Sequence, residues 1–299
     1  MVYLNSTDWS TYSSFLFEQP QPSLPPTNNN TINNSNNNTN TFTTNLPIFH
    51  YIYNRMSKIN SLLYLGCPEL LSTAMIYFHK FFIQNNSSLK NIPILYFCSA
   101  CLFIATKVTN RLTRINDFCK IVSNIISEKA PNSTPHKDLI KQNIINCEHI
   151  IITSIGFDVE VDLPYKFLYK VNSYFEKNLQ LNVNKVMKAC CYYLNDSFVL
   201  PLCLYYVPDV IAIACVIVMS RKYGIGIRED EVIELSEFNV SKNDVNVCVD
   251  VIERMYMWKK GEEGNDNNNK TKEEGFMKRK RVMVDGEEEE KKEKEKEGN

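Results

Sequence analysis

Glycine is scarce in this chain. Between residues 47 and 258 only Gly66, Gly156, Gly224 and Gly226 occur, which disfavours a chain built on tight hairpin turns. Histidine is scarcer, with His50, His79, His136 and His149 in the whole sequence. None begins an HExxH run, and no G-x-S-x-G, Walker loop or GxGxxG is present. No hydrophobic run reaches the ~20 residues of a membrane span. The best runs, Ile92–Ala105 and Val210–Met219, have the length of buried core helices. No basic region followed by an apolar stretch opens the chain, so no signal peptide is expected. The ten cysteines are then expected to stay as thiols in a reducing compartment.

Net charge is also nearly absent, with 33 basic against 34 acidic residues in 299. The average conceals three regions. Residues 1–46 contain no Lys or Arg and only Asp8 and Glu18 as acids. Residues 259–299 hold 12 basic and 13 acidic side chains. The remaining 47–258 carries 21 basic, 19 acidic and all ten cysteines. This neutral core lacks the broad basic surface of a general nucleic-acid binder. Sixteen of the twenty residues 27–46 are Asn or Thr, too polar to offset the entropy of ordering. The head is therefore expected to be disordered, and is read as a low-complexity insertion rather than a self-association element. The tail is expected to be disordered too. It contains Lys278-Arg279-Lys280-Arg281, four consecutive basic residues of the kind found in nuclear import signals.

The core reads as helical. Apolar residues recur at three- and four-residue spacing. The pattern predicts helices near 48–64, 68–84, 92–108, 114–126 and 136–155, then near 164–178, 182–199, 208–223, 228–237 and 241–257. Pro68, Pro93, Pro164 and Pro208 stand at proposed starts, where a missing N–H costs little. Gly66, Gly156 and Gly224 stand between helices as stops. Two fifteen-residue segments, Pro93–Lys107 and Pro208–Lys222, are apolar nearly all round and begin and end alike, so each is expected to be a central buried helix. Their offset of 115 also pairs Tyr77-Phe78 with Tyr192-Tyr193, which suggests two copies of one helical unit. The repeat fails at the fifth helix.

Few residues carry chemistry. Cys98-x-x-Cys101 is the only pair at that spacing and has no second ligand pair, so core thiols are expected and no metal or cofactor. His79 lies in an aromatic stretch, Tyr77–Phe82, and reads as a packing residue with a satisfied ring nitrogen. A cysteine nucleophile finds no support beyond residue counts. Two charged residues fit their helices poorly as plain surface. Lys107 ends the 92–108 helix, and Glu148 sits among isoleucines in 144–153. A lysine favoured at a helix C-terminus and a glutamate on an exposed stripe is the ordinary reading. The alternative is a charged pair reserved for a protein partner within an apolar surround.

The order of short motifs resembles the cyclins. Phe103-Ile-Ala-Thr-Lys-Val108 is similar to that family's "LASKxEE" helix end, with Thr109-Asn110 in place of the acidic pair. Asn143–Asp158 resembles its fifth helix ending in "LGFD", and Phe157–Leu168 its "FDxxxxHPYxxL" joint. Tyr193-Leu-Asn-Asp-Ser197 with Ala212-Ile-Ala-Cys215, and Arg114-Ile-Asn-Asp117, resemble the "NDS…IAxAC" and "RIRD" stretches of the transcription-type branch. Within that branch the likeness is to the Q, L and K kinds. The resemblance implies an all-α fold of two tandem five-helix boxes, at 47–160 and 161–258, between a head at 1–46 and a tail at 259–299. It implies a nuclear regulatory subunit, present also in the cytoplasm in some settings, and not an enzyme. Such a subunit binds and activates a cyclin-dependent protein kinase as a heterodimer, in transcription or RNA-processing control. It implies kinase-binding roles for Lys107 and Glu148, and neither a membrane nor a direct nucleic-acid partner. A cyclin-fold transcription adaptor of the TFIIB type, contacting DNA and polymerase, is the alternative. It lacks support from the neutral core and from any N-terminal zinc ribbon.

Overall fold

The computed structural model describes residues 45–85, 93–129, 136–178, 183–236, 238 and 240–265. The expected head, most of the expected tail and the basic cluster at 278–281 lie outside the described residues.

The described residues contain ten α-helices: α1 (Leu46–Leu62), α2 (Pro68–Gln84), α3 (Ile94–Val108), α4 (Ile115–Lys129), α5 (Lys137–Ser154), α6 (Tyr165–Asn178), α7 (Val183–Ser197), α8 (Pro208–Tyr223), α9 (Glu229–Glu234) and α10 (Lys242–Asn265). A 3₁₀ turn, Pro201–Leu204, joins α7 to α8. This all-α architecture is consistent with two five-helix boxes, and each helix lies where the apolar spacing predicts one. The second helices begin at Pro68 and Val183, at the expected offset of 115; the fifth begin at Lys137 and Lys242, only 105 apart. No helix of the described residues is long and apolar enough to cross a membrane.

Helix ends follow one physical rule. A residue with positive φ lets the chain turn back so that the last carbonyls are bonded. Gly156 (φ 64°) and Gly224 (φ 68°) do this at α5 and α8, with Phe157 N–H donating to Ile152 O at 3.0 Å and Ile225 N–H to Ser220 O at 2.9 Å. Asn110 (φ 54°) does it at α3, and Arg111 N–H donates to Thr106 O at 2.9 Å. At α1 the position is taken by Tyr64 (φ 54°), with Leu65 N–H donating to Asn60 O at 3.4 Å. Tyrosine there carries a Cβ penalty of ~1–2 kcal/mol that glycine would not.

The described residues fall into two compact units. The first runs up to Pro164 and takes in Leu194–Ile211; the second is Tyr165–Tyr193 with the chain from Ala212 onward. In the first unit α3 is the centre, with α1, α2, α4 and α5 all packed on it. Every residue from Ile94 to Thr106 except Phe103 is buried. Its buried hydroxyls bond within the helix, Ser99 to Leu95 O at 2.8 Å and Thr106 to Phe103 O at 2.7 Å, so no polar group is stranded. Around it Phe49, Phe78, Phe81 and Phe97 meet at centroid distances of 5.0–6.3 Å. Each fully buried ring contributes ~1.5–3 kcal/mol. In the second unit Ala212–Ser220 of α8 is buried throughout, which makes α8 the counterpart of α3.

His79 is the buried imidazole of this core. Its ring lies against Phe49 at 5.0 Å, and Nε2 donates to the carbonyl of Phe198 at 3.0 Å. The bond ties α2 to the segment after α7 within the first unit. Burial lowers the imidazole pKa to about 4, against a smaller upward effect of the Phe198 bond. The neutral ring is therefore the one the fold holds, and Nδ1 has no hydrogen-bond partner among the described residues.

Candidate functional site

Lys107 and Glu148 are 41 residues apart in sequence, yet the fold brings them together. α3 and α5 pack side by side, and Lys107 Nζ donates to Glu148 Oε1. The ammonium also lies 4.1 Å from the centroid of the Phe103 ring, one helical turn back. Phe103 in turn meets Phe118 of α4 edge-on at 5.5 Å. A carboxylate and an aromatic face hold the cation from two sides, and three helices contribute.

The pair is not symmetric. The Lys107 side chain is 46% exposed and that of Glu148 13%. Lysine presents an ammonium with further N–H donors to solvent, whereas the carboxylate is mostly covered and relies on its partner. Val108 beside Lys107 and Ile145 one turn before Glu148 are both exposed large apolar residues, as is Leu112 in the connection to α4. The site is thus an ion pair on two packed helices of the first unit, with exposed apolar residues close by in sequence. It can offer hydrogen bonds to a partner through the lysine ammonium.

The segment after α5 is clamped as well. Tyr77 of α2 donates its hydroxyl to Val159 O at 2.7 Å. Lys80 reaches both Asp158 O at 3.0 Å and Asp158 Oδ2 at 2.7 Å. Neither residue stood out in the sequence as a positioning group. The Lys107–Phe103 contact was readable, since i and i−4 share a helix face.

The remaining candidates fall into the core. Cys98 and Cys101 are fully buried in α3, and burial raises both thiols, with Cys147 of α5 pushed up to about 12. Such thiols pack as small apolar groups and react slowly. Among the described residues no group of three or more His, Cys, Asp or Glu side chains is placed to hold a metal ion.

Residues 63–160 match the model of the cyclin N-terminal domain. Human cyclin-K is 29% identical over 164 residues, covering 54% of this chain and 27% of that protein. Cyclin pch1 of Schizosaccharomyces pombe is 28% identical over 210 residues, covering 66% of this chain and 58% of that protein. Cyclin-T1-4 of Arabidopsis thaliana is 26% identical over 185 residues, covering 59% and 33%. The chain thus spans from about a quarter to somewhat over half of these relatives. Among solved structures, a chain of the yeast RNA Pol II CTD kinase CTDK-1 complex superposes with a TM-score of 0.58 at 15% identity, covering 79% of this chain and 75% of that one. A chain of the CAK complex from Chaetomium thermophilum bound to ATP-gamma-S gives a TM-score of 0.51 at 14% identity, covering 94% and 80%. At these identities the structural likeness is one of fold.

Proposed function

From a chain that belongs to the cyclin family, we propose a regulatory, non-catalytic subunit that binds and activates a cyclin-dependent protein kinase. The observation that carries the reading is the Lys107–Glu148 pair on α3 and α5, inside the matched cyclin domain, with exposed Val108, Leu112 and Ile145 close by in sequence. The apolar residues supply the buried centre of the interface, and the charges orient it by hydrogen bonds to kinase groups beside the mobile αC helix. Docking there favours the αC-in conformation, in which the αC glutamate pairs with the ATP-anchoring lysine. The cyclin binds this active form better and shifts the kinase population toward it.

Relatives of the K and T kinds, with the fold match to a polymerase CTD kinase complex, support a role in transcription or RNA processing. We place the work in the nucleus, with Lys278–Arg281 as the import signal. The test is copurification of a cyclin-dependent kinase with the full chain and with the Lys107→Ala/Glu148→Ala double variant. Truncating one partner of such a pair costs ~2–5 kcal/mol, so kinase capture by the folded variant is expected to fall at least thirtyfold. Undiminished capture and activation would remove these two residues from the interface.

A further inference from the structure

We infer that the solvent faces of α6 and α7 form a docking surface for single-stranded RNA, with phosphates on lysines and bases stacked on Tyr169 and Tyr192. The inference is independent of the kinase reading.

It starts from an uneven charge distribution. Tyr165–Tyr193 contains Lys166, Lys170, Lys177, Lys185 and Lys188, one acid, Glu176, and no Asp or Arg. The neutrality of the core is therefore an average, and this stretch is strongly basic. The structure puts the lysines on stripes. On α6, Lys166, Tyr169, Lys170, Ser173 and Lys177 follow three- and four-residue steps along one face. The opposite face, Phe167, Leu168, Val171, Tyr174 and Phe175, is buried. On α7, Lys185, Lys188 and Tyr192 form the outer stripe, while Val186, Ala189, Cys190 and Tyr193 are buried. Only residues 179–182 separate the two helices, which keeps the Lys177 end of one stripe close to the Lys185 end of the other.

Two features point beyond a plain solvated face. Tyr169 and Tyr192 are 79% and 63% exposed, although Tyr174 and Tyr193 on the same helices are buried. The lone acid is engaged, since Asn172 Nδ2 donates to Glu176 Oε1 at 2.8 Å, and Lys177 and Lys188 have no ion-pair partner among the described residues. Several other charges in this unit are paired, Arg221 with Glu229 at 3.1 Å, Arg228 with Glu231 at 2.5 Å and Lys242 with Asp230 at 2.7 Å, and Lys166, Lys170 and Lys185 have interactions of their own.

The chemistry selects the ligand. An isolated phosphate on a peptide is best gripped by the arginine fork, and this surface has no arginine. Lysines repeated along helical stripes suit a chain of phosphates, each a point charge. Exposed tyrosine rings offer stacking platforms that any unpaired base can use. A duplex keeps its bases stacked and gives these rings nothing to do. RNA is the nucleic acid that regularly presents unpaired bases to proteins.

The test uses the full chain and fluorescence anisotropy of labelled 20-mers between 50 and 200 mM salt, as probe conditions of order-of-magnitude choice. The probes are oligo-U RNA, oligo-dT, an RNA duplex and a phosphoserine peptide. The RNA strand is expected to bind most tightly. Replacing the five lysines by Gln should flatten the salt dependence by about 0.7 in log–log slope per lost contact. Tyr169→Ala/Tyr192→Ala should weaken binding about tenfold or more with the slope unchanged. Lys166, Lys177, Lys188 and both tyrosines are exposed, Lys170 and Lys185 are half-buried, and circular dichroism verifies the fold of each variant. No RNA binding, tighter binding of the duplex, DNA strand or phosphopeptide, or an unchanged affinity of the tyrosine variant would overturn the inference. So would loss of binding on neutralising Lys278–Arg281 with the helix variants binding as wild type.

Discussion

Acidification should weaken this fold through a single side chain, His79. The unfolded chain titrates this imidazole near its ordinary 6.5, whereas burial in the first unit lowers it to about 4. A depressed histidine pKa means that the native state binds fewer protons than the unfolded state between those values. Stability from this group is therefore complete above 6.5 and is lost as the pH falls from 6.5 toward 4. Going from pH 7.5 to pH 5 the loss works out at about 2 kcal/mol. That is a large share of the ~5–15 kcal/mol by which domains are stable. The window lies above the range where most carboxylates titrate, so His79 dominates it. Urea denaturation of the full chain at pH 7.5, 6.5, 5.8 and 5.0 measures the effect, with conditions chosen to bracket the ~6.5 reference value. A slope of ~1–3 kcal/mol per molar urea turns 2 kcal/mol into a midpoint shift of about 1 M. The control is His79→Gln, which keeps an N–H donor for the Phe198 carbonyl but does not titrate. It should start lower at pH 7.5 and lose little on acidification. Equal acid sensitivity in wild type and His79→Gln would refute the reasoning.

Other expectations are simpler to check. Lys107→Ala strands the mostly covered Glu148 carboxylate, so it should cost ~1–2 kcal/mol in thermal unfolding; Glu148→Ala leaves the lysine over Phe103 and half in solvent, and should cost under ~1 kcal/mol. An equal loss in both would contradict the asymmetry of the pair. Tyr64→Gly removes a Cβ from a left-handed position in an exposed loop and should raise stability by ~1 kcal/mol; a lowered Tm would show that the ring earns its place by packing. Ala100→Leu overfills the centre of α3, where Ala100 is fully buried, and should cost ~1–3 kcal/mol by urea titration. With most thiols buried and raised by burial, a neutral-pH thiol reagent should label few cysteines in the native chain and all ten in denaturant; fast labelling of Cys98 or Cys101 would put them outside the core.

Local rules made the helices legible. Periodicity, prolines at starts and glycines at ends each act within one turn, and they located all ten elements. The all-apolar stretches of α3 and α8 likewise announced two central helices. What stayed hidden depends on distant pairings. Nothing in the sequence of α7 marks Leu194 as the residue where the chain passes back into the first unit, because that is decided by packing against α2. Lys107 and Glu148 both stand out in the sequence, but that they pair with each other depends on how α3 packs on α5. At α1 the glycine rule pointed to Gly66, while the turn out of the helix begins at Tyr64. A bulky residue in that conformation has no sequence signature.

The return of Leu194–Ile211 to the first unit bears on the order in which the molecule is made. When Pro164 leaves the ribosome, all five helices of the first unit have been synthesised, yet the carbonyl that receives the His79 proton has not. It arrives only with Phe198, after α6 and the whole of α7. The first unit must wait for most of two helices of the second before its last buried bond can close. An expression fragment cut at the apparent joint would keep the ring of His79 and lose its acceptor, so a piece that holds the whole first unit extends through Ile211.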